Sequence, residues 1–115
     1  MWIFLNNSFL SIVAHRNGGD MMLVRSRVDG DIEAVFPNAK VIMGAGSDYL
    51  FRATVSRTEV KNAMIEYIDD IDYGNFKNSV SDNDRKSAYM DVWTDMFEYQ
   101  WRENRPQPMY DLETM

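Results

Sequence analysis

The chain has 115 residues, of which 45% are hydrophobic and 13% aromatic, so we expect one domain with its own core. It contains no cysteine, which excludes disulfide and thiolate chemistry and favours a reducing, cytoplasmic compartment. No apolar run approaches the roughly 20 residues that a membrane helix needs. We therefore predict a protein that does not associate with membranes.

The charge is uneven along the chain, whose net charge is −6 at pH 7. Residues 1–62 hold seven Lys/Arg and six Asp/Glu, a net of +1, whereas residues 63–115 hold five and twelve, a net of −7. This acidity argues against direct nucleic-acid binding. The acidic half is either a solvated, self-repelling surface or a face that docks a basic protein. The carboxylates proposed for docking are Glu66, Asp69, Asp70, Asp91, Asp95 and Glu98.

The first predicted elements form a hairpin. Residues Phe9–Arg16 are rich in strand-forming types, and the Asn17–Asp20 turn, "NGGD", supplies the positive φ of a tight connection. Met21–Val28 follows as a second strand in which Met22, Val24, Ser26 and Val28 alternate with Leu23, Arg25 and Arg27. This alternation predicts one face toward a core and one face that carries arginines.

A short helix and a second hairpin come next. Asp29 or Asp31 is expected to cap the helix, and Pro37 to end it. Ala39–Met43 and Tyr49–Ser56 are predicted strands joined by the glycine-rich turn Gly44–Asp48. In the second of these strands, alternation assigns Tyr49, Phe51, Ala53 and Val55 to one face and Leu50, Arg52 and Thr54 to the other.

The last third of the predicted domain is helical. The pattern "SRTE", Ser56–Glu59, is typical of a capping box and opens a helix that we expect to end at Gly74. A final helix is predicted from Ser81 or Asp82 to about Trp101. Residues 102–115 contain two of the three prolines and are expected to form a loose tail behind a single domain of residues 1–101.

The predicted order is therefore β-β-α-β-β-α-α. The natural arrangement is an α+β two-layer sandwich, in which a four-stranded antiparallel sheet carries the helices on one face.

An arginine set is the first candidate site. If the apolar sides of the strands face the helices, Arg25, Arg27 and Arg52 share the opposite face. Guanidinium groups bind phosphate or carboxylate oxygens in pairs, so this face is a candidate anion or nucleotide site, with Tyr49 or Tyr73 stacking and Lys77 nearby. The ordinary alternative is a solvated sheet face with cross-strand ion pairs.

The final helix carries two predicted apolar stripes. Its expected core stripe consists of Tyr89, Val92, Trp93, Met96 and Gln100. A second stripe of Met90, Phe97 and Trp101 lies off that face, and it is either core or a surface for a partner or a homodimer. The nine methionines of the chain suit an adaptable interface.

Catalytic, metal and cofactor motifs are weak, and we assign none. "GAGSDY" lacks the Lys-Ser/Thr of a P-loop, "EYIDDID" lacks the ligand spacing of a calcium loop, and His15 is the single histidine.

Several segments carry a family resemblance: "MWIF", "FLSIVAHR", "LVRSRVDGDIE", "DYLFRATVSR", "IDYGNFK" and "AYMDVW". They resemble a family of small uncharacterised bacterial proteins, from residue 1 to about residue 101. The tail from Arg102 onward and the acidity are where this chain departs from that family, so it is either an ordinary member or a specialised, phage-borne one. The family carries no established activity, so the resemblance supports the architecture. In "IDYGNFK", Tyr73 and Phe76 are expected to wedge a helix–helix corner, with Gly74 or Asn75 in a left-handed turn.

Two functions follow as hypotheses. The first is a non-enzymatic inhibitor, immunity or anti-defence protein whose acidic helical half docks a basic partner. The second is a small-anion or nucleotide binder that uses the arginine set.

Overall fold

The computed structural model describes residues 1–44 and 48–105. The predicted turn Gly44–Asp48 falls partly, and the predicted tail largely, outside the described residues. The chain divides into two compact units, one of Met1–Phe76 and one from Lys77 onward. The first unit contains the sheet and two helices.

The sheet has five antiparallel strands: β1 Trp2–Phe4, β2 Phe9–Ala14, β3 Met21–Ser26, β4 Ile42–Met43 and β5 Phe51–Ser56. Their spatial order is β1-β2-β3-β5-β4. The predicted α+β class and antiparallel pairing are confirmed, but the predicted count of four strands is wrong. The fifth strand is β1, which folds back on β2 because the polar turn after it closes with a hydrogen bond from Leu5 N to Ser8 O of 2.8 Å.

Four helices complete the described chain: α1 Asp31–Val35, α2 Arg57–Asp69, α3 Phe76–Ser79 and α4 Asn83–Asn104. The order is therefore β-β-β-α-β-β-α-α-α, and not the predicted seven-element order. Two caps were predicted correctly. The Glu59 backbone N–H donates to Ser56 Oγ at 3.1 Å, and the Arg85 N–H donates to Asp82 Oδ2 at 2.8 Å.

Helix α2 ends five residues before the predicted Gly74, with Asp70 as its C-cap residue. Three aspartates at positions 69, 70 and 72 explain the early end, because carboxylates oppose the negative end of the helix dipole and repel one another. The predicted left-handed turn at Gly74 or Asn75 is also wrong, since neither residue has a positive φ.

The core lies between one face of the sheet and helices α1 and α2. The sheet contributes alternate residues of three strands, among them Leu10, Val24 and Ala53, as the strand alternation predicted. Helix α1 adds Ile32 and Val35, and α2 adds Val60.

Asp31 is a buried carboxylate that the sequence reasoning assigned only a capping role. It is 3% exposed and lies inside the first turn of α1, whose N-cap residue is Gly30 at φ 91°. Its Oδ2 accepts a hydrogen bond from Phe9 N at 3.0 Å, and its carbonyl accepts one from Ser8 Oγ at 3.0 Å. Asp31 thus ties the β1–β2 turn to α1.

The predicted core stripe of α4 is wrong. Of the residues of α4, all within the described part of the chain, only Tyr89 is buried. Val92, Trp93 and Met96 are exposed. Apolar spacing indicates that a helix face favours burial, but it does not indicate what covers that face. Among the described helices, none is long and apolar enough to cross a membrane.

Candidate functional site

The second face of the sheet carries a row of side chains that crosses all five strands. Residues directly opposite in antiparallel strands share a face. The register places Ser11 opposite Arg25 and Arg25 opposite Arg52, with Trp2 and Ile42 at the two edges of the row. Arg25 and Arg52, from neighbouring strands, therefore lie side by side, as their predicted assignment to one face of the sheet requires.

Arg25 is half-buried and is held from two sides. Its Nη2 donates a hydrogen bond of 2.7 Å to Ser11 Oγ, and its Cζ lies 4.6 Å from the centre of the Tyr49 ring. Its Nε is buried and has no hydrogen-bond partner among the described residues. The guanidinium is thus oriented by neutral groups, and its charge is not neutralised by them.

Arg27 lies at the more exposed end of the same face. Its Cζ is 4.0 Å from the Tyr49 ring centre, its Nη1 donates to the Asp48 carbonyl at 3.1 Å, and its Nη2 lies 3.9 Å from Asp48 Oδ2. The two side chains of this ion pair are 51% and 73% exposed. An ion pair as exposed as this contributes little to stability, so Arg27 is free to exchange Asp48 for another anion.

Arg52 is the least neutralised member of the cluster. It is half-buried, and its Nε is buried without a hydrogen-bond partner among the described residues. No described carboxylate forms an ion pair with Arg52 or with Arg25. Like charges directly opposite across strands are destabilising, and a buried donor without a partner adds about 1–3 kcal/mol.

Tyr49 corrects one sequence expectation. Alternation assigned it to the core face with Phe51, but β5 begins only at Phe51, so the period of two does not extend back to Tyr49. Its ring instead contacts Arg25 and Arg27 and is 4% exposed. Tyr49 therefore positions two guanidinium groups and has no free face on which a base could stack.

Tyr73 does not join the arginines as predicted. The Tyr73 ring lies 5.9 Å from that of Phe76, and Tyr73 lines a separate apolar groove of 510 Å³ beside β1 and the end of α2. Lys77 belongs to the second unit, where its Nζ lies 5.2 Å from the Trp93 ring centre. We call Arg25, Arg27, Arg52 and their contacts Ser11, Asp48 and Tyr49 the arginine cluster.

The acidic docking candidates lie on two helices and are all exposed. Glu66, Asp69 and Asp70 lie at the end of α2 in the first unit; Asp91, Asp95 and Glu98 lie on α4 in the second. None of the six pairs with a lysine or arginine of the described chain. Among the described residues, no group of three or more His, Asp or Glu is placed to hold a metal ion.

The apolar docking candidates lie on α4. Met90 is half-buried, and Phe97 and Trp101 are exposed. The Trp93 and Phe97 rings stack at 5.2 Å with an angle of 8°, and the Phe97 and Trp101 rings meet edge to face at 6.3 Å. We call Trp93, Phe97 and Trp101 the aromatic ladder.

Ser11 and Asp48 are members of the arginine cluster that sequence reasoning did not assign to a site. Ser11 is 1% exposed and shares its face of β2 with the apolar Phe9 and Val13. A single serine on an otherwise apolar strand face could have indicated a site, because a buried serine usually has a hydrogen-bond partner. Asp48 had no comparable signal, since it lies in a turn.

No protein-family model, no curated protein and no solved structure matches this chain. The family resemblance in the sequence therefore stays a prediction, and the chemistry must be argued from the cluster itself. Arginine stays protonated in proteins and only donates hydrogen bonds. The arginine cluster is thus suited to hold an anion and not to transfer a proton.

Proposed function

We propose that this protein is a non-enzymatic binding protein that holds a small phosphate- or carboxylate-bearing anion between Arg25 and Arg52. The observation that carries the proposal is the register of β3 and β5, which sets these two arginines directly opposite each other. Neither forms an ion pair with a carboxylate of the described chain. An anion from solution would supply the missing negative charge.

The energetics favour a ligand over an empty surface. Both Nε groups are buried without a partner among the described residues, and each forgoes about 1–3 kcal/mol of hydrogen bonding. A bound anion would turn the like-charge repulsion between the two guanidinium groups into charge-assisted hydrogen bonds, which are about twice as strong as neutral ones.

The spacing points to phosphate or diphosphate as the best fit. Opposite residues in antiparallel strands have Cα atoms about 4.5–5.5 Å apart, so two guanidinium forks can reach different oxygens of one phosphate or of two linked phosphates. Tyr49 already contacts two arginines, so a nucleotide would be held through its phosphates without base stacking.

Thermal melts of the pure protein test this proposal. We expect a rise in Tm with at least one of phosphate, pyrophosphate, nucleotides, cyclic dinucleotides or sugar phosphates, each compared with NaCl at equal ionic strength. At 100 times its Kd a ligand adds about 2.7 kcal/mol, or on the order of 10 °C for a domain near 100 residues. An unchanged Tm with every anion would contradict an anion site.

A second candidate function is the docking of a basic protein, as in an inhibitor, immunity or phage anti-defence protein. It is favoured by the exposed carboxylates Asp91, Asp95 and Glu98 of α4, which form no ion pair within the described chain. Charges of one sign on one helix side steer a partner of opposite charge and make its binding sensitive to salt.

This candidate predicts that changing Asp91 and Asp95 to Asn and Glu98 to Gln releases a partner captured from lysate by the wild-type protein. About 0.5 M salt should release it as well. The matched control neutralises the exposed Asp20, Asp29 and Glu33 and should retain the partner. Capture that survives both the α4 changes and the salt would rule out docking through this helix.

A further inference from the structure

The middle of helix α4 carries a broad apolar side. Between Tyr89 and Arg102, at 100° per residue, five polar residues gather on one stripe, and Gln100 is the one polar residue among the apolar side chains opposite. The stripe consists of Asp91, Thr94, Asp95, Glu98 and Arg102. Within the described chain only Tyr89 of this helix is buried.

The aromatic ladder is the most ordered part of this apolar side. Trp93, Phe97 and Trp101 are 48%, 43% and 54% exposed, and their rings contact one another in series. Three large rings four residues apart form a continuous ridge about 12 Å long at 1.5 Å per residue. Exposed aromatic ridges mark interaction sites.

We propose that the aromatic ladder binds the same ladder of a second copy of this chain, with the two α4 helices antiparallel. The ladder is palindromic: a tryptophan lies four residues before Phe97 and another four residues after it. A two-fold axis at Phe97 therefore places Trp93 of each copy against Trp101 of the other. Such self-complementarity is what a two-fold symmetric interface requires.

The exposed area on the ladder side sets the strength of the dimer. Trp93, Phe97 and Trp101 are each about half exposed, and at about 150–250 Å² for a fully buried aromatic they offer on the order of 300 Å² per chain. Two copies would bury about 600 Å² through the ladders alone, which is the size of a weak interface, so the dimer is expected to depend on concentration.

The charges also permit two copies to meet on this side. The chain has a net charge of −6, so self-association needs the carboxylates kept away from the contact. On a helix of 100° per residue, Asp91, Asp95 and Glu98 lie roughly 100–160° around from Phe97. A dimer through the ladder therefore leaves the acidic stripe of α4 exposed, and the two surfaces can be tested separately.

Light scattering after size-exclusion chromatography tests the proposal. The wild-type chain of 13.4 kDa should elute as a dimer of twice that mass at about 0.1 mM, above the micromolar Kd of weak interfaces. Phe97→Glu should give a monomer with an unchanged far-UV spectrum. Thr58→Glu adds the same charge at an exposed position of α2 and should stay dimeric. A monomeric wild type, or a Phe97→Glu dimer, would overturn the proposal.

A crosslink checks the symmetry directly, because the chain has no cysteine. Phe97→Cys should place two thiols at the two-fold axis and give a disulfide-linked dimer on mild oxidation. Thr94→Cys, on the polar stripe, should not. Equal crosslinking of both variants would indicate random collision and would contradict the antiparallel arrangement.

Discussion

Replacing Arg52 with methionine should abolish the anion-induced rise in Tm and should, without ligand, raise the Tm of the protein by a few degrees. Methionine keeps the apolar stem of the side chain and removes the charge opposite Arg25. Cross-strand charge pairs contribute about 0.2–1 kcal/mol, which corresponds to roughly 1–8 °C in a domain of this size. The two measurements are melts with and without the best anion of the panel.

The sign of the change in Tm without ligand separates a binding role of Arg52 from a structural one. An arginine retained for stability would lose stability when replaced, whereas a binding arginine held against a like charge gains it. Arg16→Met, in the exposed β2–β3 loop, is the matched control and should leave ligand binding unchanged. A fall of more than about 1 kcal/mol in the stability of Arg52→Met would show that this arginine is structural.

Replacing Asp31 with alanine should give the largest loss of stability among the changes considered. The substitution leaves the Phe9 N–H without its carboxylate partner and loosens the β1–β2 turn from α1. A hydrogen bond to a charged group contributes about 1.5–3 kcal/mol, so we expect a fall in Tm of roughly 10–20 °C. A thermal melt followed by circular dichroism measures the Tm, and urea unfolding measures the free energy of unfolding.

Glu33→Ala is the control for that experiment, because Glu33 lies on the same helix and is exposed. It should change the stability by no more than about 0.5 kcal/mol. Asp31→Asn keeps one acceptor oxygen, so its stability should lie between the stabilities of Asp31→Ala and Glu33→Ala. If Asp31→Ala is as stable as Glu33→Ala, the link between the turn and α1 does not stabilise the fold.

The core face of the sheet could be predicted because it depends on local alternation. Val24 in β3 and Ala53 in β5 are both buried. Because side chains of a strand alternate between its two faces, the neighbouring Arg25 and Arg52 must lie on the opposite face. The helix caps at Ser56 and Asp82 were predictable for a similar reason, since a cap needs only a hydroxyl or carboxylate at a fixed distance from the first turn.

The cross-strand register was harder to predict. The turn predicted at Asn17–Asp20 does hold the positive φ values, at Gly18 and Gly19, but the predicted tight connection is wrong. The strand pairing extends only to Ala14 and Met22, with a longer loop between them. A change of one residue in loop length would place Leu10 and not Ser11 opposite Arg25, and only the tertiary structure excludes that register.

Tyr49 and α4 show where pattern reasoning fails. Tyr49 lies two residues before β5 begins, so its side chain is placed by contacts with Arg25 and Arg27 and not by alternation. In α4 the spacing shows an apolar face, but the same spacing serves a core, a partner or a second copy. Burial decides between these uses, and burial depends on residues far away in the sequence.

An NMR titration that follows the Nε–Hε signals of the arginine side chains tests the central claim most directly. Pyrophosphate is added to the wild-type protein, and Arg52→Met assigns one signal by its absence. The account predicts that the signals of Arg25 and Arg52 move together and saturate as the two guanidinium groups gain an anionic acceptor, while those of Arg16 and Arg57 stay in place. Signals of Arg25 and Arg52 that do not move, or that move no more than those of Arg16 and Arg57, would contradict an anion site between these strands.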